Sequence, residues 1–367
     1  MEKNEIIILY GENISEMAAR LAEEANLADL IGDRKKYIGL KPNLVVASPA
    51  FEGATTHTAI AAGLIDYLKK HGFFNISIIE GSWTGGSTSQ AFNMCGYTKL
   101  AKDTGVRLID TKKDSTRVCD CAGMEIEICE SALNMDFMIN LPVMKGHCQT
   151  HMTCALKNNK GIISDHEKRR FHSLGLFRPI AHLNTVARND FILVDGICGD
   201  LDFEQGGNPV YSGRLIAARD PVLCDAWAAG QMGFELSEIP YIGMAEELKV
   251  GSADLGKAVI RELNSAIAQK QAVSGKLKHF IPYISENNAC SACYAALIFA
   301  LSRMGRNELG TNNVSRFNGK ICVGQGFKGT TGNTGVGQCT KDFKNSCPGC
   351  PPSGADVLAF LRREISG

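Results

Sequence analysis

Six of the fourteen cysteines are concentrated near the end of the chain, between residues 290 and 350. Cys290-Ser291-Ala292-Cys293 stands at the predicted start of an apolar helix, where backbone N–H groups and the helix dipole favour thiolates. Cys339 follows, and Cys347-Pro348-Gly349-Cys350 repeats the same spacing. Four thiolates are the ligands of a [4Fe–4S] cluster, and zinc accepts the same donors. The pattern therefore predicts a metal centre.

The choice among the six cysteines rests on spacing and local context. Cys322 lies in an apolar, strand-like stretch, which is more typical of a core thiol. The two Cys-x-x-Cys pairs are 54 residues apart, 347 minus 293, whereas a compact zinc ribbon has a central spacing of ~15–20 residues. An iron–sulfur cluster is therefore the leading interpretation, and zinc stays open as the alternative. The predicted ligands are Cys290, Cys293, Cys339 and Cys350, with Cys347 in reserve.

A second concentration of reactive side chains lies between residues 145 and 182, which hold five of the eight histidines. His147 and His182 can bind a divalent metal or exchange protons near neutral pH. Lys157 and Lys160 can bind a carboxylate or phosphate, or form a covalent adduct. The predicted catalytic set is His147, Lys157, His182 and Asp195.

An anion-binding role is predicted for residues at strand ends and in one loop. The loop Gly81 to Thr88 follows a strand and precedes a helix, and its small residues let the backbone approach an anion. Its spacing matches neither the dinucleotide fingerprint nor the P-loop. The competing interpretation is that these residues only cap helices and solvate loops. The predicted substrate- or anion-binding set is Lys41, Asn43, His57, Lys160 and Gly81.

The elements that position these residues alternate between strands and helices. Apolar runs predict strands at 5–10, 38–46, 75–80, 107–110, 137–143 and 192–195. Helical patterns lie between several of them, and a further helix is predicted near Gly256 to Lys270. Such alternation predicts an α/β fold with a mainly parallel sheet and helices on both faces. Ligands bind at the carboxyl ends of strands in these sheets.

Composition changes near residue 285, where the clustered cysteines and a glycine-rich stretch begin. We therefore expect an α/β domain over residues 1–285 and a small cysteine-rich iron–sulfur module over residues 286–367.

Overall composition indicates which classes of partner and which cellular compartment to expect. The chain has 367 residues, of which 44% are hydrophobic and 21% charged, and 39 basic residues balance 39 acidic ones. This balance gives no reason to expect a nucleic acid or an anionic membrane surface as a partner. No apolar run approaches the length of a spanning helix or a signal peptide. We expect a cytoplasmic protein whose thiols are reduced or bound to metal rather than paired.

The polar motifs of the first domain together resemble the family of domain of unknown function 362, over about residues 35–255. The matching stretches are Lys41-Pro42-Asn43, Thr55-Thr56-His57, Glu80-Gly81, Gly96-Tyr97, Lys145-Gly146-His147, Leu156 to Gly161, Ala181 to Asn184, Val194-Asp195-Gly196 and Arg219-Asp220-Pro221 with Asp225. The resemblance implies iron–sulfur binding, which in this family usually uses ferredoxin-like Cys-x-x-Cys-x-x-Cys segments. This chain departs from that pattern, because its cysteines lie in a C-terminal module of its own.

Two shorter resemblances concern the metal and the reaction. The segments Gly337-Gln338-Cys339 and Gly349-Cys350-Pro351-Pro352 resemble cluster-binding segments in small subunits of nickel–iron hydrogenases. A distant likeness to the N-terminal domain of nickel-dependent lactate racemases is kept as an alternative, since their histidines and lysine do not map residue by residue onto this chain.

Three functions follow as hypotheses. The first is an iron–sulfur oxidoreductase that acts on a small anionic substrate at a His/Lys/Asp cleft. The second is a non-redox, metal- or cofactor-dependent enzyme, isomerase- or racemase-like, with a structural cluster. The third is an electron carrier or binding protein without catalysis. No flavin or nicotinamide fingerprint is visible, so the expected electron donor is a ferredoxin-like protein.

Overall fold

A computed structural model describes residues 1–266, 275–309, 317 and 319–366. Its strands, in chain order, are β1 (Glu5–Tyr10), β2 (Ile38–Pro42), β3 (Ile76–Glu80), β4 (Arg107–Asp110), β5 (Thr116–Asp120), β6 (Glu125–Cys129), β7 (Phe137–Leu141), β8 (Lys145–His147), β9 (His151–Thr153), β10 (Phe191–Asp200), β11 (Pro209–Ala218), β12 (Val259–Glu262), β13 (Ile284–Glu286), β14 (Ile321–Val323), β15 (Thr334–Val336) and β16 (Asn345–Cys347).

The α-helices lie between these strands and at the end of the chain. They are α1 (Ile14–Glu24), α2 (Leu27–Ile31), α3 (Thr58–Lys70), α4 (Thr88–Met94), α5 (Tyr97–Thr104), α6 (Glu130–Leu133), α7 (Ala155–Asn158), α8 (Asp165–Ser173), α9 (Phe177–Leu183), α10 (Pro221–Gln231), α11 (Pro240–Glu247), α12 (Ser291–Arg303), α13 (Arg306–Leu309) and α14 (Gly354–Ser366). Within the described residues, none of them is long and apolar enough to cross a membrane.

The central sheet has eight strands in the order β12-β1-β11-β10-β7-β2-β3-β4. β11 is antiparallel to β1 and β10, while the other neighbouring pairs are parallel. Parallel strands that are covered on both faces form near-continuous apolar runs. β7 shows this pattern, since all five of its residues are buried. The prediction of a mainly parallel sheet is confirmed.

Helices cover both faces of the central sheet. Alternate side chains of β1 enter different cores because successive residues of a strand point to opposite faces. Ile6 and Ile8 share a core with residues of α10 and α12, whereas Ile7 and Leu9 share one with residues of α1 and α3. The predicted three-layer α/β arrangement is therefore confirmed.

The C-terminal segment forms its own small sheet and also packs on the central one. The strands β13, β14, β15 and β16 pair in that order, all in parallel. α12 packs against α14 and against β11. Leu297 of α12 and Leu361 of α14 lie in the same core as Ile216 of β11. α12 thus joins the cysteine-bearing segment to the central sheet, and the boundary at residue 285 stays a prediction.

Two local predictions differ from the structure. The segment predicted as helix near Gly256 to Lys270 contains the strand β12, which pairs with β1 at the sheet edge; residues 267–270 lie outside the described part. β2 ends at Pro42 rather than at residue 46, because the next two amides bond to side chains and not to a neighbouring strand. The N–H of Asn43 donates to Thr56 Oγ1 at 2.8 Å, and that of Leu44 donates to Glu80 Oε2 at 3.2 Å.

Candidate active-site cavity and cysteine cluster

Lys41 and Glu80 form a buried ion pair at the carboxyl ends of the neighbouring parallel strands β2 and β3. Nζ of Lys41 lies 2.8 Å from Oε2 of Glu80 and also donates to the carbonyl of Pro42 at 2.9 Å. Burial lowers the pKa of Lys41, and the Glu80 carboxylate opposes this shift. Because its ammonium is fully enclosed, Lys41 holds the Glu80 carboxylate in place and offers no contact to a ligand.

A cavity of about 260 Å³ lies against Glu80 at this edge of the sheet. Trp83 and His172 contribute rings to its wall, and Asn43 and Gly81 contribute from the predicted anion-binding set. The charged residues of its lining are Glu80, Lys157, Lys160, Lys168 and Glu204. The structure therefore brings part of the predicted set together and adds charged residues that no sequence motif indicated.

Glu204 is the centre of the polar contacts in this cavity. Its Oε1 accepts from Nζ of Lys157 at 2.8 Å, and its Oε2 accepts from Nε2 of His147 at 3.1 Å. Burial alone would raise the pKa of Glu204, but Lys157 and His147 hold it well below its usual value. Glu204 was missed at the sequence level because it lies in the loop between β10 and β11, which carries no periodicity and no motif.

His147 is held in one neutral tautomer. Its Nδ1 accepts from the backbone N–H groups of Gln149 and Thr150, both at 3.1 Å. Nδ1 therefore carries no proton, and the ring proton lies on Nε2, which faces Glu204. Burial and, to a smaller extent, the charge of Lys157 lower the pKa of His147 to about 4. His147 is thus a neutral hydrogen-bond donor to a carboxylate.

Two lysines near Glu204 have no carboxylate of the described residues bonded to them. Nζ of the buried Lys145 donates to the carbonyls of Ala54 at 2.5 Å and Glu204 at 2.7 Å. Lys160 is half-buried on a single 3-10 turn, Asn159–Ile162, and no hydrogen bond or ion pair of its ammonium occurs within the described residues. Burial lowers the pKa of both lysines to about 7. When they are protonated, these two ammonium groups lie in or near the cavity without a bonded carboxylate, an arrangement that suits an anionic ligand.

Two glycines of the cavity lining, Gly81 and Gly161, allow neighbouring groups to pack closely against the backbone. A Cβ atom on Gly161 would lie 1.9 Å from Oε1 of Glu80, and one on Gly81 would lie 2.2 Å from Oγ1 of Thr111. The N–H of Gly81 donates to Glu80 at 2.7 Å, while its carbonyl accepts from Lys168 at 2.9 Å. Gly81 was expected to offer its backbone N–H to an anion. Glu80 already uses that group, so Gly81 shapes the cavity instead.

His57 and Asp195 form a pair that does not line the cavity. Oδ2 of Asp195 accepts a hydrogen bond from the backbone N–H of His57 at 2.8 Å. The same oxygen also lies 2.8 Å from Nδ1 of the His57 ring. Burial lowers the pKa of His57, but the Asp195 carboxylate outweighs this effect and raises it. Since His57 directly precedes α3, the pair ties the start of that helix to β10. Asp195 acts on His57 and has no contact with the cavity in the part of the chain described.

His182 is also separate from the cavity. Its Nδ1 lies 2.8 Å from the carbonyl of Cys121, and its Nε2 accepts from Nε of Arg178 at 3.4 Å. Both ring nitrogens are thus used in contacts with the protein. The expectation that His182 shares a cleft with His147 and Lys157 is not met, because α9 directs its ring towards the β5–β6 hairpin.

Asp225 orients the short helix that carries Lys157. The carboxylate accepts from the N–H groups of Ala155 at 2.7 Å and Leu156 at 3.3 Å. Its oxygen and the sulfurs of Cys154 and Cys224 all lie within 4.8 Å of one another, and all three residues are buried. Burial raises the pKa of Asp225 to about 7. A second such group of potential metal ligands consists of Glu127, His166 and Glu167.

The three segments that carry the predicted cluster ligands meet at the start of α12. A Cβ atom on Gly337 would lie 3.4 Å from Sγ of Cys293 and 3.7 Å from the carbonyl of Gly349. The N–H of Gln338 donates to that same carbonyl at 2.8 Å. Gly337 has a φ of 91°, a left-handed conformation that favours glycine. The loops before Cys339 and Cys350 are therefore held together beside Cys293.

The four predicted thiols share one electrostatic neighbourhood. Burial raises the pKa of Cys293, and charge on Cys290, Cys350 and Cys339 raises it further. The reserve ligand differs, because the charged groups that act on the pKa of Cys347 lie on α14. All fourteen cysteines of the chain fall in the described residues, and all are free thiols. Four thiols from three segments form a donor set that a metal cofactor accepts.

The family model described as Domain of unknown function (DUF362) matches residues 38–230, which is more than half of the chain. The chain belongs to the DUF362 family. The DUF362 match includes Lys41, Lys157 and Glu204 but ends before Cys290. Among curated proteins, none matches.

Two solved structures are similar to this DUF362 chain. The lactate racemase apoprotein from Thermoanaerobacterium thermosaccharolyticum is 16% identical, with a TM-score of 0.40, over 58% of this chain and 54% of that chain. A protein from Thermotoga maritima is 12% identical, with a TM-score of 0.34, over 85% and 71%. The chain spans about half the length of the racemase structure. Both scores are too low to transfer a ligand or an activity.

Proposed function

We propose that this protein is an iron–sulfur oxidoreductase that acts on a small anionic substrate. In this proposal Cys290, Cys293, Cys339 and Cys350 hold a [4Fe–4S] cluster, and the substrate binds in the cavity beside Lys157 and Lys160. The convergence of the four thiols is the observation that supports it most strongly. When bound, such a cluster supplies electrons one at a time.

The arrangement of the predicted ligand sulfurs speaks against a preformed zinc site. Thiolates on a tetrahedral zinc ion, each ~2.3 Å from the metal, lie about 3.8 Å from one another. Among the described residues, no three of the four predicted ligand sulfurs lie within 4.8 Å of one another. The four thiols therefore do not form the close group that a single zinc ion requires.

One edge of the cysteine site reaches the surface. Cys350 is exposed and Cys339 is half-buried, whereas Cys290 and Cys293 are buried. A ferredoxin-like protein that docks at this edge is the electron donor we propose. The free thiols support the accompanying proposal of a reducing, cytoplasmic compartment.

Metal and sulfide analysis tests the cluster directly. Protein purified without oxygen should contain iron and acid-labile sulfide in equal amounts, with a broad visible absorbance that dithionite bleaches. Protein that contains zinc and no iron would refute the redox proposal. The same preparation should lose its absorbance slowly in air, because the exposed Cys350 leaves one edge of the site open.

A second candidate function has a specific observation in its favour. α12 (Ser291–Arg303) carries Cys293 in its first turn and ends at Arg303. Nη2 of Arg303 donates to the carbonyl of Leu201 at 3.3 Å, near the loop of Glu204. At ~1.5 Å per residue, the helix rises about 15 Å from Cys293 to Arg303. Such a separation between cysteines and cavity favours a structural cluster beside a non-redox, metal- or cofactor-dependent site. Reduction of bound cluster without any change in substrate turnover would select this second function.

Binding of an anion should strengthen as the pH falls through 7. Lys145 and Lys160 have pKa values lowered to about 7 by burial, so both gain charge between pH 8 and pH 6. Sulfate keeps a constant charge over this range, and Trp83 in the cavity wall can report its binding by fluorescence. We expect sulfate affinity to rise several-fold from pH 8 to pH 6, with proton uptake. Lys160→Gln should flatten this dependence, and an equal affinity at both values in the unaltered protein would contradict it.

A further inference from the structure

We infer that the ligand of the cavity is a small dicarboxylate, one of whose carboxylates replaces the Glu204 side chain on Lys157 and His147. This inference rests on the anion-binding cavity proposed above and specifies the class of compound that fills it. Glu204 then serves as an internal occupant that keeps the site closed until the ligand arrives.

The contacts of Glu204 show which chemical group this part of the cavity accepts. Its two carboxylate oxygens are bound by two different donors, Nζ of Lys157 at 2.8 Å and Nε2 of His147 at 3.1 Å. The backbone of Gln149 and Thr150 fixes the proton of His147 on Nε2. Both donors therefore stay directed at this position when the Glu204 carboxylate leaves it, and a ligand carboxylate can make the same two bonds.

The side chain of Glu204 can leave without unfolding its loop. Oδ1 of Asp200 accepts from the N–H groups of Asp202 and Phe203, at 2.8 and 2.5 Å, which fixes the start of the loop. Nζ of Lys145 holds the backbone carbonyl of Glu204 at 2.7 Å. The side chain itself is 32% exposed, so rotation about its own torsions is enough to carry the carboxylate into solvent.

A second negative group on the ligand has a counterpart in Lys160. This ammonium lines the cavity and bonds to no other group in the described part of the chain. A monocarboxylate that only exchanges with Glu204 leaves the charge of the cavity unchanged, whereas a dicarboxylate also pairs Lys160. The cavity volume of about 260 Å³ has room for a short compound of this class.

Titration with short acids tests the inference. Malonate, succinate, glutarate and acetate are added to the full-length protein while Trp83 fluorescence and heat of binding are followed. If Glu204 fills the carboxylate position more than nine-tenths of the time, its removal raises apparent affinity at least tenfold. We expect Glu204→Ala and the isosteric Glu204→Gln to bind the best dicarboxylate at least tenfold more tightly than the unaltered protein. Glu16→Gln, at an exposed position of α1, is the matched charge control and should change nothing.

The competing results separate this inference from the function on which it rests. Lys160→Gln should weaken binding of the dicarboxylate at least fivefold and leave acetate binding unchanged. If sulfate binds and responds to Lys160→Gln, but neither Glu204 variant binds dicarboxylates more tightly, the anion cavity stands and the inference is overturned. If no anion binds to any variant, both are overturned.

Discussion

Replacing Cys350 with serine is expected to remove most of the iron and sulfide from anaerobically purified protein. Serine is a poor ligand for this cluster compared with a thiolate, so one of four attachment points is lost. The Cys350 side chain is exposed, and the change therefore removes little packing. We also expect residues 286–367 to become more sensitive to protease, because the loops before Cys339 and Cys350 lose their shared anchor. Iron and sulfide per chain, and limited proteolysis, are the measurements.

Two other cysteines of the same segment provide matched controls. Cys322 lies on β14, where burial raises its pKa and Ser285 bonds to it, and the Cys347 thiol lies near α14. Cys322→Ser and Cys347→Ser should both keep their iron. Full retention of iron and sulfide in Cys350→Ser would remove Cys350 from the ligand set, and loss in Cys347→Ser would bring the reserve ligand back.

Removal of the Glu80 carboxylate should cause a large loss of stability. Glu80→Ala leaves the Lys41 ammonium buried without its counter-charge and leaves the N–H groups of Leu44 and Gly81 without an acceptor. Breaking one side of a buried ion pair costs about 3–5 kcal/mol. We expect the free energy of unfolding, measured by urea denaturation and circular dichroism, to fall by about that amount.

A double substitution distinguishes loss of the pair from loss of packing. Lys41→Met combined with Glu80→Leu removes both charges and should recover part of the lost stability. Lys99→Ala breaks an exposed ion pair with Asp103 and should be nearly neutral, because such pairs are screened by solvent. A Glu80→Ala protein that is as stable as the unaltered one would show that the Lys41–Glu80 pair does not stabilise the fold.

The general architecture and the reactive motifs could be predicted from local sequence. β7 and β1 are short, mostly apolar segments. Such segments are typical of strands in a sheet that is covered on both faces, and they indicate the α/β class. Cys290 and Cys293 are three residues apart at the start of α12, so local sequence alone brings these two residues near each other. Lys157 and Lys160 are potential anion-binding groups by residue type alone, so the sequence could indicate them before their burial was known.

Long-range packing decided which of these residues meet. Glu204 lies 47 residues beyond Lys157 in the chain and pairs with it only because β10 carries its loop back to the cavity. His182 is close to that segment in sequence, yet α9 directs its ring to Cys121. The burial that lowers the pKa of Lys145 and Lys160 is likewise a property of the assembled fold, since it depends on atoms from distant segments.

By itself, then, the sequence determined the class of the fold, the thiol and lysine chemistry available and the absence of an apolar spanning run, since these depend on residue type and short-range periodicity. Only the tertiary structure decided that Glu204 occupies the cavity, that His57 pairs with Asp195, and that the two cysteine-bearing loops join α12. Those outcomes depend on how strand ends and loops converge in space. The number of residues between two side chains does not determine their distance in space. That distance depends on the packing of all the segments that meet at the site.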